Sequence, residues 1–229
     1  FQAGESEYLY HGANRLGANS LLSCIYAGLV TGAEIPRYFD SLTKTHSDFP
    51  ESLYTTAVKT EEEKRHDMIK RSGPENIHAL HDEMADLMIK NVTVKRNNKD
   101  LQKTLDGLKV IRGKLKIIAL DDQDPFANQP VSFALRFEPM LELAVVMAKG
   151  ALQRNEFRGA HFKPEFPARN DEDWLKITVA SYDRTKDEPK ITYEPVDTRH
   201  LKPILRDYTH AKRIKPKLEN IPRNIELPL

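Results

Sequence analysis

The sequence predicts a mainly α chain with a small β element: a strand-turn-helix start, a helical bundle, then a C-terminal segment with a short hairpin. Three observations predict it. Apolar residues recur at helical spacing in three successive stretches between residues 51 and 118. A longer stretch at 130–154 is helical in composition. After Asn155, prolines recur at 164, 167, 189, 195 and 203, and two short β-type runs flank a polar turn. The implied boundaries are 1–45, 46–155 and 156–229.

Taken in order, Phe1-Gln2-Ala3-Gly4-Glu5 reads as a strand end followed by a turn, and so abrupt a start is expected of a fragment of a longer chain. Residues 19–30 are almost continuously apolar (Leu21, Leu22, Cys24, Ile25, Ala27, Leu29, Val30), which predicts a buried helix capped by Asn19 or Ser20. Gly32 is expected to break it, with a second short helix at 35–42 and a linker at 43–50. Residues 51–71 form a highly charged helix with a thin apolar face (Leu53, Ala57, Val58, Met68, Ile69). Pro74 suits the first turn of the next helix, whose stripe is Ile77, Leu80, Met84, Leu87 and Met88. A third stripe follows: Leu101, Leu105, Leu108, Ile111, Leu115 and Ile118. Residues 121–125 are a loop. In the helix at 130–154, Pro139 predicts a kink or break, because proline lacks the backbone N–H. The runs 177–182 and 190–193 form the hairpin, and the last twenty residues are basic and extended.

The 35 Lys+Arg nearly cancel the 34 Asp+Glu in this 229-residue chain, which gives no electrostatic case for nucleic-acid binding. The basic residues near the end (Lys202, Arg206, Lys212, Arg213, Lys215, Lys217) read as a solvated tail. One cysteine, Cys24, excludes an intrachain disulfide and reads as a small hydrophobe. Asn91-Val92-Thr93 is a chance sequon, and no apolar run reaches membrane-spanning length. His78, His81 and Asp82 have a spacing that mimics a metal site but read as a polar helix face, as does Glu61-Glu62-Glu63.

The segment with the most chemistry is the loop at 11–18 running into the first helix. Helix-start N–H groups lack intrahelical partners and favour negative charge. Gly12 and Gly17 allow close approach to the backbone, and Arg15 supplies a planar fork that matches a carboxylate. Together they suit an anionic ligand such as a dicarboxylate beside an electron-rich ring. The bland alternative is an Arg15 paired with a core carboxylate of its own chain.

Two stretches carry a family resemblance. Ala3-Gly4-Glu5 with His11-Gly12-Ala13-Asn14-Arg15-Leu16-Gly17-Ala18-Asn19-Ser20-Leu21-Leu22 resembles the second flavin-binding signature of succinate dehydrogenase and fumarate reductase flavoprotein subunits. Downstream, Arg154-Asn155-Glu156-Phe157-Arg158-Gly159-Ala160-His161-Phe162-Lys163-Pro164-Glu165-Phe166-Pro167, then Arg169-Asn170-Asp171 and Trp174-Leu175-Lys176, resembles a second motif of that family. Phe157 stands where the family usually has serine. Tyr193-Glu194-Pro195-Val196, Pro203 and Tyr208 resemble the family's C-terminal end.

The resemblance covers essentially the whole chain and implies the C-terminal two-fifths of such a subunit: the last strand-turn-helix of an FAD-binding domain, the bundle and the tail. It implies that Glu5 bonds the sugar-like part of FAD, that Ser20 and Leu21 lie against the flavin ring, and that Arg15 holds a carboxylate of succinate or fumarate for hydride transfer. Arg158 and His161 are expected to order the turn leaving the bundle, and Trp174 to pack on it. The implied partners are an iron-sulfur subunit and membrane-anchor subunits, at the cytoplasmic side of a bacterial inner membrane, with no membrane insertion of this chain itself. The dinucleotide glycine motif, the flavin-linking histidine and the capping domain are absent, so the isolated chain is expected to be inactive and not to retain FAD. The alternatives are fumarate reductase (the same chemistry reversed), L-aspartate oxidase, against which Ala160 and the long tail argue, and a helical interaction module without catalysis.

Overall fold

The computed structural model describes residues 1–6, 11–15, 17, 19–199 and 202–204. They fall into two units, Phe1–Glu194 and Pro195–Leu229. In the second, the Arg199 guanidinium pairs with Asp197. The basic end at 205–229 lies outside the described residues, as does most of the expected extended tail.

Within the first unit, α1 (Asn19–Ser41) is followed by α2 (Glu51–Lys70), α3 (Ile77–Asn91), α4 (Asn98–Leu115) and α5 (Gln129–Gln153). The short α6 (Asp171–Trp174) then leads into the two-stranded hairpin β1 (Lys176–Asp183) and β2 (Glu188–Pro195). The chain is thus mainly α with one small sheet. Asparagine starts four helices: Asn76, Asn97, Asn128 and Asn170 each accept a backbone N–H from the first turn, which would otherwise have no partner.

The core lies among α3, α4 and α5. The stripes named from sequence supply two of its sides, Ile77, Leu80 and Met84 of α3 and Leu101, Leu108, Ile111 and Leu115 of α4, and the third side, not named from sequence, is Val131, Ala134, Phe137, Leu141, Ala144, Ala148 and Ala151 of α5. From α2 only Met68 is fully buried, in keeping with its thin apolar face. Gly73 has a steric duty. A Cβ there would stand 1.8 Å from the Ile117 carbonyl oxygen, so only glycine lets the α2–α3 connection lie against the end of α4. Two bridges seal that contact, Ser72 with Ala119 and Glu75 with Ile118. They also explain why α3 starts at Ile77 rather than at Pro74: Glu75 bonds Ile117 and Ala119, and Asn76 supplies the cap.

Several expectations are corrected. Residues 1–3 are not a strand; Gln2 O accepts the Thr31 hydroxyl instead, and among the described residues the hairpin is the only sheet. A strand needs a neighbour, and none stands there among the described residues. The expected turn exists, as a 3-10 turn Gly4–Ser6 with Gly4 at φ +81°. Gly32 does not break α1, which runs on through Pro36 to Ser41. One interior glycine costs only about 1 kcal/mol, and the far half of α1 is held by Thr31 on Gln2 and by Phe1 edge-on to Tyr38. Nor does Pro139 break α5. Buried Phe137 and Leu141 flank it and hold both halves in the core.

The hairpin is tied to the bundle by polar contacts. Arg112 bonds the Asp187 carbonyl and the Tyr182 hydroxyl, Lys149 bonds Pro189 O, and Tyr193 bonds Gln153. Burial raises the Glu142 carboxyl above its usual range, against the pull of Arg112.

Candidate functional site

α1 departs most from expectation. It reads as a buried helix, yet only Ala27 is buried. Leu21 is 75% exposed and Leu29 71%, and Leu22, Ile25, Tyr26 and Val30 are exposed as well. The apolar run is real; what would cover it is not among the described residues.

At the start of this helix lies a recess of about 240 Å³ lined by Glu5, His11, Arg15, Ser20, Ser23 and Cys24. Three of the four residues singled out from sequence, Glu5, Arg15 and Ser20, are thus brought together. Leu21 is not among the lining residues. Arg15 is exposed, not buried as the apolar setting suggests, and no carboxylate among the described residues pairs with it.

His11 and Ser23 are members the sequence reasoning did not assign. The Ser23 hydroxyl donates to Ser20 O at 2.8 Å, so the His11 Nε2–H donates to Ser23 Oγ at 3.1 Å. This ties the loop to the first turn of α1. The clue available in sequence was the helical offset of three between Ser20 and Ser23. Asn19 and Ser20 are the first residues of α1 itself, where backbone N–H groups have no intrahelical acceptor.

The recess suits part of a ligand. Pockets that enclose a drug-sized molecule run to roughly 300–1,000 Å³, so this one has room for a small anion or the edge of a ring and not for a whole dinucleotide. The polar lining offers both signs: a carboxylate acceptor (Glu5) for hydroxyl donors, and for an anion a cation without a described carboxylate partner (Arg15) and a helix start.

The downstream motif lies directly against this loop. Gly159 has φ +59°, and a Cβ there would stand 2.7 Å from the Ala13 carbonyl oxygen and 2.9 Å from the Ala13 Cβ. Arg158 and His161 exchange backbone hydrogen bonds at 3.0 Å, closing the turn. Beneath it Glu156, fully buried, accepts from Arg154 Nη1 at 2.7 Å, Arg158 Nε at 2.8 Å and Asn170 N at 3.1 Å. Arg158 also reaches Asp171 at 2.6 Å. Burial pulls the Arg158 guanidinium down, but its bonds to Glu156 and Asp171 outweigh that and raise it.

His161 Nε2 donates to Arg154 O at 2.8 Å while Nδ1 faces Arg96 Nη1 at 2.7 Å and can only accept. The ring is neutral, its pKa pushed down to about 4 by burial, with Arg96, Lys163 and Arg154 nearby. These are ordering roles, as expected of Arg158 and His161. Trp174 packs as expected too, with the Arg154 guanidinium 5.2 Å over its ring and Tyr193 edge-on.

Lys163, Arg96 and Glu156 were not named as structural residues from sequence. The buried Lys163 ammonium donates to Asn98 Oδ1, Leu152 O and Asn155 Oδ1 at 2.7–2.9 Å, and burial lowers it to about 8. His78 and His81 do not simply face solvent: both rings lie on Phe133, His78 stacked at 4.7 Å. Asn91 donates to the Thr104 hydroxyl. No helix among the described residues is long and apolar enough to cross a membrane.

A family model described as "Fumarate reductase flavoprotein C-term" matches residues 81–208. The chain belongs to this family. It is 43% identical over 215 residues to a succinate dehydrogenase flavoprotein subunit of Bacillus subtilis, a match that takes in 94% of this chain and 37% of that protein. It is 30% identical over 232 residues to a fumarate reductase flavoprotein subunit of Helicobacter pylori, covering 99% of this chain and 32% of the relative. The fold matches a quinol-fumarate reductase solved with menaquinol molecules, at TM-score 0.80, 26% identity, and 89% and 35% coverage of the two chains. An Escherichia coli quinol fumarate reductase matches at TM-score 0.77 and 27% identity, over 85% and 33%. The chain therefore spans about a third of the length of these family members.

Proposed function

We propose that this chain forms one wall of the flavin and dicarboxylate site of a succinate dehydrogenase flavoprotein subunit. The observation that carries the reading is the convergence of Glu5, Arg15 and Ser20 on one recess at the start of α1. The 43% identity to a succinate dehydrogenase subunit favours succinate oxidation over its reverse, fumarate reduction.

When bound, FAD supplies a two-electron hydride acceptor. The chain's own residues do the rest by placement. Glu5 accepts hydrogen bonds from the sugar-like hydroxyls of the cofactor. The start of α1, with Ser20 lining the recess and Leu21 beside it, presents unpartnered N–H groups and the positive end of a 23-residue helix, which favours negative charge building on a neighbouring ring. Arg15 grips one substrate carboxylate through two parallel hydrogen bonds and fixes its orientation. The proton-handling groups and the rest of the cofactor cradle belong to segments outside this chain. An iron-sulfur subunit takes the electrons onward, and membrane-anchor subunits hold the assembly at the cytoplasmic face of a bacterial inner membrane.

Arg15→Gln in the full-length subunit tests this. The variant is expected to keep its flavin and lose succinate turnover by roughly a thousandfold, of the order of losing a bidentate charge contact in a dry site. An unchanged KM for succinate would sink the reading.

A further inference from the structure

We infer that the turn at residues 158–161 is a positioning element of the substrate clamp: its tip, Gly159, sets where the Arg15 loop stands. The inference deepens the proposed function and rests on its reading of Arg15 as the carboxylate clamp.

The turn is held on every side but one. Its two ends exchange backbone hydrogen bonds, Arg158 N to His161 O and His161 N to Arg158 O. Its base rests on the fully buried Glu156, which binds Arg154 and Arg158 together, and Asp171 takes the other side of the Arg158 fork. The His161 ring is wedged between Arg96, on the α3–α4 connection, and the carbonyl of Arg154, the residue that ends α5. The turn is therefore an extension of the bundle. The exposed tip meets Ala13, two residues before Arg15, at a separation too small for any side chain at position 159. A rigid tip against a loop that bears an exposed arginine is the arrangement that fixes a binding group without touching the ligand.

This gives Gly159 two independent reasons to be glycine. Its φ of +59° disfavours a Cβ, and the Ala13 backbone forbids one sterically. Neither reason involves substrate. The effect of filling the space is nonetheless on substrate, because Ala13 must retreat and Arg15 moves with it.

The test uses the full-length flavoprotein subunit assembled with its partners, and malonate, a non-reacting dicarboxylate, as the binding probe. Gly159→Ala is expected to raise the KM for succinate and the Kd for malonate by about tenfold to a hundredfold, the range expected of a displacement near 1 Å. It should leave flavin content unchanged, while the strained backbone lowers the melting temperature by only a few degrees. Malonate affinity equal to wild type, or a loss that merely tracks lost flavin or lost folding, overturns the inference. Arg15→Gln is run beside it. If that variant still binds malonate, the clamp reading itself has failed; if it does not while Gly159→Ala binds normally, only the positioning role has failed.

Should Gly159→Ala not assemble, the pair His161→Ala and His161→Gln decides. Alanine removes both ring hydrogen bonds, whereas glutamine offers an oxygen to Arg96 and an N–H to Arg154 O. A raised KM with alanine that glutamine brings back towards wild type supports positioning. Wild-type KM in both overturns it.

Discussion

α1 and α5 make an instructive pair. They are of similar length, 23 and 25 residues, similarly apolar, and each carries a proline in its interior. α5 buries seven residues and α1 buries one. The difference lies in the neighbours. α5 runs beside α3 and α4, whose stripes face it; α1 packs mainly on the 3-10 turn at Gly4–Ser6, with Gln2 O, Phe1 and Tyr38 as its named anchors. An apolar sequence states a demand for cover, and whether the demand is met depends on the rest of the chain.

The contrast is sharpest in core truncation. Phe137→Ala in α5 is expected to destabilise the 229-residue chain by about 3–5 kcal/mol, read by denaturant unfolding, because Phe137 is fully buried. Next comes the buried ion cluster. Glu156→Gln leaves Arg154 and Arg158 without their shared carboxylate and should cost about 3 kcal/mol, at the lower end for a broken buried pair. A loss under 1 kcal/mol would mean the two arginines find other partners.

A smaller effect is expected from acid. The folded-state pKa of His161 lies below its ordinary value, so the stability it contributes is complete above pH 6.5 and drains away as pH falls towards 4. With its partial exposure discounted, the loss is on the order of 1–2 kcal/mol. A pH-stability profile of His161→Gln should be flatter across that window. Smallest of all is Leu29→Ser in α1, expected within about 0.5 kcal/mol because the side chain is exposed. A large loss would show that α1 is covered and would break the comparison by a single substitution. A related expectation is that this chain carries no flavin band after gel filtration, one wall being too little to hold the cofactor.

The bundle was legible because helical spacing and burial have one cause. Leu80, Leu101 and Leu108 could be placed inside by periodicity. The exposure of α1 was illegible for the same reason: composition does not say what stands opposite Leu21. Gly32 and Pro139 misled because a breaker acts on an isolated helix, while packing on either side of Pro139 keeps α5 whole. At the site, residue chemistry pointed to Arg15 and the family resemblance of the first motif to Glu5, Ser20 and Leu21; Glu5, Arg15 and Ser20 line one recess, and Leu21 is not in its lining. Their support could not be read, since Arg96 and His161 lie 65 residues apart and meet only in three dimensions.

Lys163 has a consequence of its own. Three oxygens converge on its ammonium from the start of α4, the end of α5 and the segment that follows α5. That is how a small bound cation is usually surrounded, and here the cation is attached to the chain. The knot carries its charge internally, at the negative end of α5, where it needs nothing from the solvent. Its strength should be indifferent to salt, unlike the exposed i,i+4 pairs along α2. It should also be intolerant of arginine, whose flat fork cannot fill a space shaped for a point charge.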